Sequence, residues 1–570
     1  MKKLMKLLAI ILALLMTLAL IACSAGKAES DMEPDGGATY FPDIVGGSNG
    51  SDIMNSYGDA FKPSYSDGNQ PKPEIGAPEK DEAEMIPGIE GSPEPGDPSE
   101  SGDAQSPDPD ETTSNSGIEN ETDAPSGEFI KKPFTSVEEN KFSTFSADVD
   151  TASYTYFRKL VNSGYLFEDL CNSGNTFRTE EFINYFRYDV EQPGEGELFG
   201  VKREIMPCPW DKDSMVLRVT LQAENAVNTK GNNLVFLIDV SGSMSSQDKL
   251  PLLKKAFSYL IGNLGPNDTV SIVTYSGREA VVLDGCKGAE GDKITAAMNS
   301  LGASGSTNGE AGITMAYQIA EKHFIEGGNN RIIMASDGDL NVGISSASEL
   351  KSFIEQKRDQ GIYLSILGFG TGNYRDDRME ALADNGNGVY YYIDGESEAE
   401  KVFGTDLTGT LYTVANDVKL QIEFDPEYVD SYRLIGYDNR ILDKEDFEDD
   451  TKDAGEVGAS HQVTVCYEIK LKEDKTESID NYLTLRVRYK NPGQPLSLLN
   501  EYGIGEREMT ATGSEDARFI ASVIELTSLL HNPSYNGEIT IQSILETLDS
   551  LNLTDPYKIE FRELVRKLAQ

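Results

Sequence analysis

The sequence predicts an α/β protein: a doubly wound, mostly parallel sheet inserted in a β-sandwich, followed by a helical C-terminal segment and preceded by a disordered linker. Three observations predict this. Between about 230 and 410, apolar runs of strand length alternate with segments whose apolar residues recur at spacings of 3 and 4, the order of elements that a parallel sheet requires. On either side the apolar period falls to two, in Met215/Leu217/Val219/Leu221 before and in Val418/Leu420/Ile422/Phe424, Val463/Val465/Tyr467/Ile469/Leu471 and Leu483/Leu485/Val487/Tyr489 after. That period marks half-buried antiparallel strands, and since a lone edge strand is unstable, both sets are expected to join one sandwich. Finally, 27–128 holds 13 of the 24 prolines and 25 acidic residues against 4 basic ones, a composition that cannot offset the entropy of ordering.

The elements divide the chain into a leader (1–22), the acidic Pro/Gly/Ser-rich linker (23–130), an N-terminal α+β region (131–227), the central unit (228–410), a β-rich segment (411–510) and terminal helices (511–570). Over all 570 residues the formal charge is −46. A surface that acidic gains nothing by releasing phosphate counterions, which excludes nucleic acid as a partner class. Three histidines and five cysteines leave little material for a His/Cys metal centre.

Lys2, Lys3 and Lys6 precede a 16-residue apolar run over 7–22, short for a membrane span, which needs ~20 residues, and suited to a signal-peptide core. Leu20-Ile21-Ala22-Cys23 looks like a bacterial lipobox. That resemblance implies cleavage before Cys23, a lipid on its sulfur, and an exported protein tethered to the outer face of the cell membrane. Several acyl chains on one residue hold stably where one does not. Beyond the linker, 151–161 and 179–188 read as short aromatic-rich helices.

In the central unit, 233–239 is a continuous apolar run, as a strand buried on both faces should be. Leu250, Leu253, Phe257, Leu260 and Leu264 then mark one face of a helix. Strands at 269–275 and 280–283, joined through 276–279, read as an antiparallel hairpin. Helices at 292–301 and 310–324, a strand at 331–336, a helix at 348–360, a strand at 363–367, a helix at 375–383 and a strand at 389–393 follow. After 514, three apolar stripes at helical spacing run to the end.

The chemistry sits at strand ends. One strand ends in Asp239-Val240-Ser241-Gly242-Ser243, the loop 302–308 contains Thr307, and another strand ends in Ser336-Asp337-Gly338. All lie on the carboxyl side of the sheet, where open α/β sheets bind ligands. Every side chain on offer is an oxygen donor, which suits Mg²⁺, a hard ion that uses one or two carboxylates and keeps waters. As these side chains are expected in surface loops, replacing Asp239 or Asp337 by alanine should spare the fold.

These residues resemble the von Willebrand factor type A (VWA) domain and its metal-ion-dependent adhesion site, D-x-S-x-S with a distant Thr and Asp. The resemblance implies metal ligation by Ser241, Ser243 and Thr307, water-mediated contacts from Asp239 and Asp337, Mg²⁺ or in its place Mn²⁺ or Ca²⁺, and a protein partner that offers an Asp or Glu carboxylate. Phe145-Ser146-Ala147-Asp148-Val149-Asp150, Phe182-Ile183-Asn184-Tyr185-Phe186, Cys208-Pro209-Trp210 and 337–343 are similar to bacterial surface lipoproteins with a central domain of this type.

Other patterns carry less. Asp337, Asp339 and Asn341 begin like a calcium loop, but Val342 and Ser348 stand where it needs Gly and Glu. Gly46-Gly47-Ser48-Asn49-Gly50 has the spacing of a hydrolase elbow with no strand before it, and Gly368-Phe369-Gly370-Thr371-Gly372 reads as a turn. Asp148 and Asp150 read equally as a second carboxylate site or as a helix N-terminus. His323, His461 and His531 fall away from the serine cluster, so no catalytic residue, enzyme activity or small-molecule substrate is expected. A structural envelope lipoprotein whose metal braces loops, and an enzyme with an unrecognised site in 131–225, remain alternatives. Cys171, Cys208, Cys286 and Cys466 read equally as buried free thiols or as bridges; four allow three pairings, Cys171 with Cys208 being the first to try.

Overall fold

A computed structural model describes residues 133–173, 177–226, 230–276, 279–305, 310–338, 347–370, 376–406, 409, 412–472, 481–533 and 539–570. The leader, Cys23, the linker and the 46–50 motif lie outside the described residues.

Four strands precede the central sheet: β1 (Thr135–Ser136), β2 (Phe142–Ser146), β3 (Phe199–Pro207) and β4 (Met215–Ala223). The central sheet comprises β5 (Asn232–Asp239), β6 (Thr269–Tyr275), β7 (Ala280–Lys287), β8 (Asn329–Ser336), β9 (Ile362–Phe369) and β10 (Tyr390–Ile393). Then come β11 (Thr413–Phe424), β12 (Val429–Ile435), β13 (Ile441–Leu442), β14 (Gly455–Gly458), β15 (Gln462–Leu471), β16 (Leu483–Lys490) and β17 (Ser497–Ile504).

The central sheet runs in the order β10-β9-β8-β5-β6-β7, parallel except for β7. The chain starts at β5, builds outward to β7, then crosses to β8 and builds the other way. The carboxyl ends of β5 and β8, which are neighbours, are therefore the switch point where such sheets take ligands. β5 is buried throughout. Leu234, Phe236 and Ile238 pack in one layer with the helix Leu250–Asn263, while Val235 and Leu237 pack in the other with the helix Glu310–Lys322. The first of these helices stops before Gly265-Pro266, since the residue ahead of a proline is pushed out of the helical region.

Both flanks contribute to each sheet of the sandwich, as the sequence pattern leads one to expect. One sheet is β1-β12-β15-β4-β3 and the other β13-β2-β11-β16-β17, so β11 pairs with β2 and β15 with β4 across the whole central unit. Phe145, Leu217, Val219 and Leu221 share a core with Leu420, Ile422, Val465, Tyr467 and Leu485. β16 alternates buried and half-buried as expected. β4 and β15 do not: nearly every residue is buried. The terminal helix Glu515–His531 covers their outer face, setting Ala517 and Ala521 on Val216 and Met206.

The helix expected over 179–188 ends at Asn184. Its continuation is drawn off by β15: Asn184 Oδ1 accepts from the Thr464 amide (2.8 Å), and the Tyr188 amide donates to Gln462 Oε1 (2.9 Å). The Cys171–Cys208 pairing is also not formed, and the four described cysteines are separate thiols. Cys466 and Cys208 are held in different apolar clusters, and burial pushes each thiol up to about 12, away from the reactive thiolate.

Glu525, on the covering helix, is 9% exposed, and burial raises its carboxyl to about 7. Its folded value exceeds the ordinary one, so the stability it contributes is complete below about pH 4.5 and is lost as pH rises through 7. Glu525→Gln, a mimic of the protonated form, should therefore stabilise the chain at pH 8 by up to about 3 kcal/mol and leave it unchanged near pH 4.5. Thermal melts at the two pH values check this; an equal effect at both refutes the assignment.

Candidate metal centre

β5 delivers Asp239 to the switch point with no exposed surface. Its Oδ1 accepts from the Ser241 amide at 2.8 Å, which folds the loop back so that the Ser241 and Ser243 hydroxyl oxygens lie 2.8 Å apart. A second loop is laced to the first. Ser304 N–H donates to the Val240 carbonyl (2.7 Å), Gly242 N–H to the Gly305 carbonyl (3.1 Å), and Ser276 Oγ to the Ser304 carbonyl (2.6 Å). Thr307, two residues further on, lies outside the described residues.

Asp337 arrives from the end of β8 and is 3% exposed. Lys249 links it to the serine loop: its Nζ donates to Asp337 Oδ2 at 2.8 Å and to the Ser243 carbonyl at 3.1 Å. Asp337 Oδ1 is buried and has no hydrogen-bond partner among the described residues. Tyr275 is buried beside both carboxylates; burial first, then the charge of Asp239, hold its hydroxyl well above the ordinary range.

The structure thus brings together Asp239, Ser241, Ser243 and Asp337. It corrects one expectation: Asp239 and Asp337 are buried at strand ends rather than exposed in loops, because the two loops and Lys249 close over them. The residues fit a divalent cation. The donors are all oxygen, Asp337 Oδ1 is buried with no hydrogen-bond partner among the described residues, and the buried Asp239 and Asp337 carboxylates sit at the ends of neighbouring strands. Sequence reasoning missed Lys249, although a signal was present. It is the N-cap of Leu250–Asn263, where Ser, Thr, Asp and Asn are preferred and a positive charge opposes the helix dipole.

A second acidic region lies where β2, the central unit and the β13 loop meet. One Arg440 nitrogen reaches Asp148 Oδ1 (3.3 Å), Asp150 Oδ2 (3.3 Å) and Asp384 Oδ1 (3.0 Å), and Asp150 Oδ1 accepts from the Tyr390 amide (2.8 Å). Asp148 and Asp150 tie the units together, a role neither reading of the sequence supplied. Nearby, Asp417, Asp453 and Glu456 bring carboxylate oxygens within 4.8 Å of one another. Lys490 donates to Asp417 (2.6 Å) and Arg358 to Asp453 (2.7 Å), so two of the three carboxylates already have cations of the chain's own, while burial holds the third, Glu456, well above the usual carboxylate range.

Fold and site together define a von Willebrand factor type A protein, and sequence comparison agrees: the von Willebrand factor type A domain profile matches 233–405. A second profile, described as von Willebrand factor, matches 122–218, and one described as "Uncharacterized protein YfbK, C-terminal" matches 409–570. The chain is 37% identical over 465 residues to the protein YfbK of Escherichia coli (strain K12), covering 77% of this chain and 80% of that one. It belongs to the YfbK family. It is also 25% identical over 328 residues to the human inter-alpha-trypsin inhibitor heavy chain H3, of which it spans 35%. Among solved structures, a von Willebrand factor type A protein from Catenulispora acidiphila is 16% identical, with 67% of this chain and 89% of that chain covered and a TM-score of 0.38.

Proposed function

We propose that this chain is a lipid-anchored protein of the bacterial surface that captures a protein partner through a divalent cation held by Asp239, Ser241, Ser243, Thr307 and Asp337. The observation that carries the reading is Asp337 Oδ1, buried at the switch point without a hydrogen-bond partner among the described residues. A divalent ion bound there supplies an electrophilic position for a carboxylate oxygen from an Asp or Glu of the partner. The chain's own residues prepare that position. The Asp239–Ser241 turn aligns two neutral hydroxyls, so few direct negative charges reach the ion. Acidic surroundings disfavour a generally acidic partner, so recognition rests on one carboxylate and local shape. The role is binding, without catalysis.

Calorimetric titration of Mg²⁺ tests the site: the wild-type chain should bind one equivalent and Asp239→Ala none, and wild type that takes up no Mg²⁺, Mn²⁺ or Ca²⁺ refutes it. The anchor rests on the lipobox-like Leu20-Ile21-Ala22-Cys23. Cys23→Ser should leave the membrane fraction or remain there only as uncleaved precursor; mature-size protein still bound to membranes contradicts the anchor.

A further inference from the structure

Lys249 stands where chemistry argues against it and is nonetheless built in. As an N-cap it offers the helix Leu250–Asn263 no side-chain hydrogen bond and places a cation at the positive end of the helix dipole. Its stem runs over Gly370, where an added Cβ would come within 2.2 Å of the lysine Cε, and Gly370 itself is fixed by a 2.7 Å bond from the Tyr392 hydroxyl to its carbonyl. Gly370, whose φ of +76° already favours glycine, thus also leaves room for this side chain. The ammonium ends 2.8 Å from a carboxylate oxygen of the metal set, on a side chain only 15% exposed.

We propose that Lys249 is an internal cation that holds Asp337 until a divalent ion displaces it, so that it sets the metal concentration at which the site fills. The inference rests on the metal-dependent reading of the site given above. Two cations sharing one buried carboxylate repel each other strongly, so metal entry requires the ammonium to swing away. The ion pair lost in that step is subtracted from the metal's affinity. With the ammonium in place, Asp337 is not left as an unpaired buried charge in the metal-free chain, which is the costly condition for such a group.

The test is Mg²⁺ calorimetry, with thermal melts in chelator and in saturating Mg²⁺, on the full chain as wild type, Lys249→Met and Lys249→Met/Asp239→Ala. Methionine keeps the aliphatic contact on Gly370 and removes only the charge. Lys249→Met should bind Mg²⁺ about tenfold more tightly, the equivalent of one ordinary partly buried ion pair. It should also melt lower than wild type in chelator and level with it in Mg²⁺. Equal or weaker affinity in Lys249→Met, with wild type binding normally, overturns the role of Lys249 and leaves the metal site standing. No binding by either chain, or binding that survives Asp239→Ala, overturns the site and this inference with it. If Lys249→Met does not fold, Lys249→Gln, which keeps a neutral donor to Asp337, is read by the same criteria.

Discussion

Residues 411–510 expressed alone should stay unfolded or aggregate, whereas 228–410 should give a soluble, folded domain. The excised β-rich segment loses β2 from beside β11, β1 from beside β12, and β4 from beside β15, which leaves long unpaired edges. It also loses Phe145, Leu217, Val219 and Leu221 from its core. Burying four such side chains stabilises a fold by roughly 6–12 kcal/mol, as much as the whole net stability of an ordinary domain, about 5–15 kcal/mol. The central unit keeps its six-stranded sheet and both helical layers. It gives up the contacts of the helix Ala152–Asn162, chiefly Arg158 with Asp394 (2.6 Å) and Glu398 (2.7 Å). Circular dichroism and amide dispersion on the two fragments decide this. A cooperative melt from 411–510 contradicts the interleaved sandwich.

Asp239→Ala and Asp337→Ala should each weaken Mg²⁺ binding by at least about a hundredfold, since removing even an outer-shell group from a metal site costs 10- to 100-fold. The fold should survive, though not because the side chains are exposed. Asp239→Ala leaves the Ser241 amide without its acceptor, a loss of about 1 kcal/mol, while removing one of two adjacent buried negative charges. Asp337→Ala frees Lys249 to reach solvent past its partly exposed end. Melts in chelator should therefore fall within a few degrees of wild type. A variant that binds Mg²⁺ undiminished removes that aspartate from the site.

Much of this was legible in the residues. A fully apolar run ending in Asp239-x-Ser241-x-Ser243 specifies a strand buried on both faces with its oxygen donors at the tip. The period-two runs before and after the central unit specified a shared sandwich. Less legible were β3, β12 and β17. β17 is an edge strand with Leu498 and Leu499 exposed, so burial does not impose alternation on it. β4 and β15 alternate in sequence like half-buried strands, yet buried Arg218, Thr220, Thr464 and Glu468 occupy their polar positions. Thr220 and Thr464 bond each other across the two strands (3.1 Å), and Glu468 accepts from Ser214 (2.9 Å). Asp148 and Asp150 became interpretable only once Arg440, some 290 positions away, was seen between them. Lys249 was visible as a residue but not as a neighbour of Asp337, because sequence spacing says nothing of a contact across two strands.

In the proposed function, partner capture runs through the metal held at Asp239 and Asp337. The most direct measurement immobilises the wild-type chain and the Asp239→Ala/Asp337→Ala chain and passes detergent-solubilised membranes of the source organism over both. The wild type is run in Mg²⁺ and again in chelator. Proteins retained by wild type in Mg²⁺, released by chelator and absent from the double variant are what this account predicts. The same proteins retained by the metal-free double variant would contradict it, and the metal would then be a brace for the loops of a scaffolding lipoprotein.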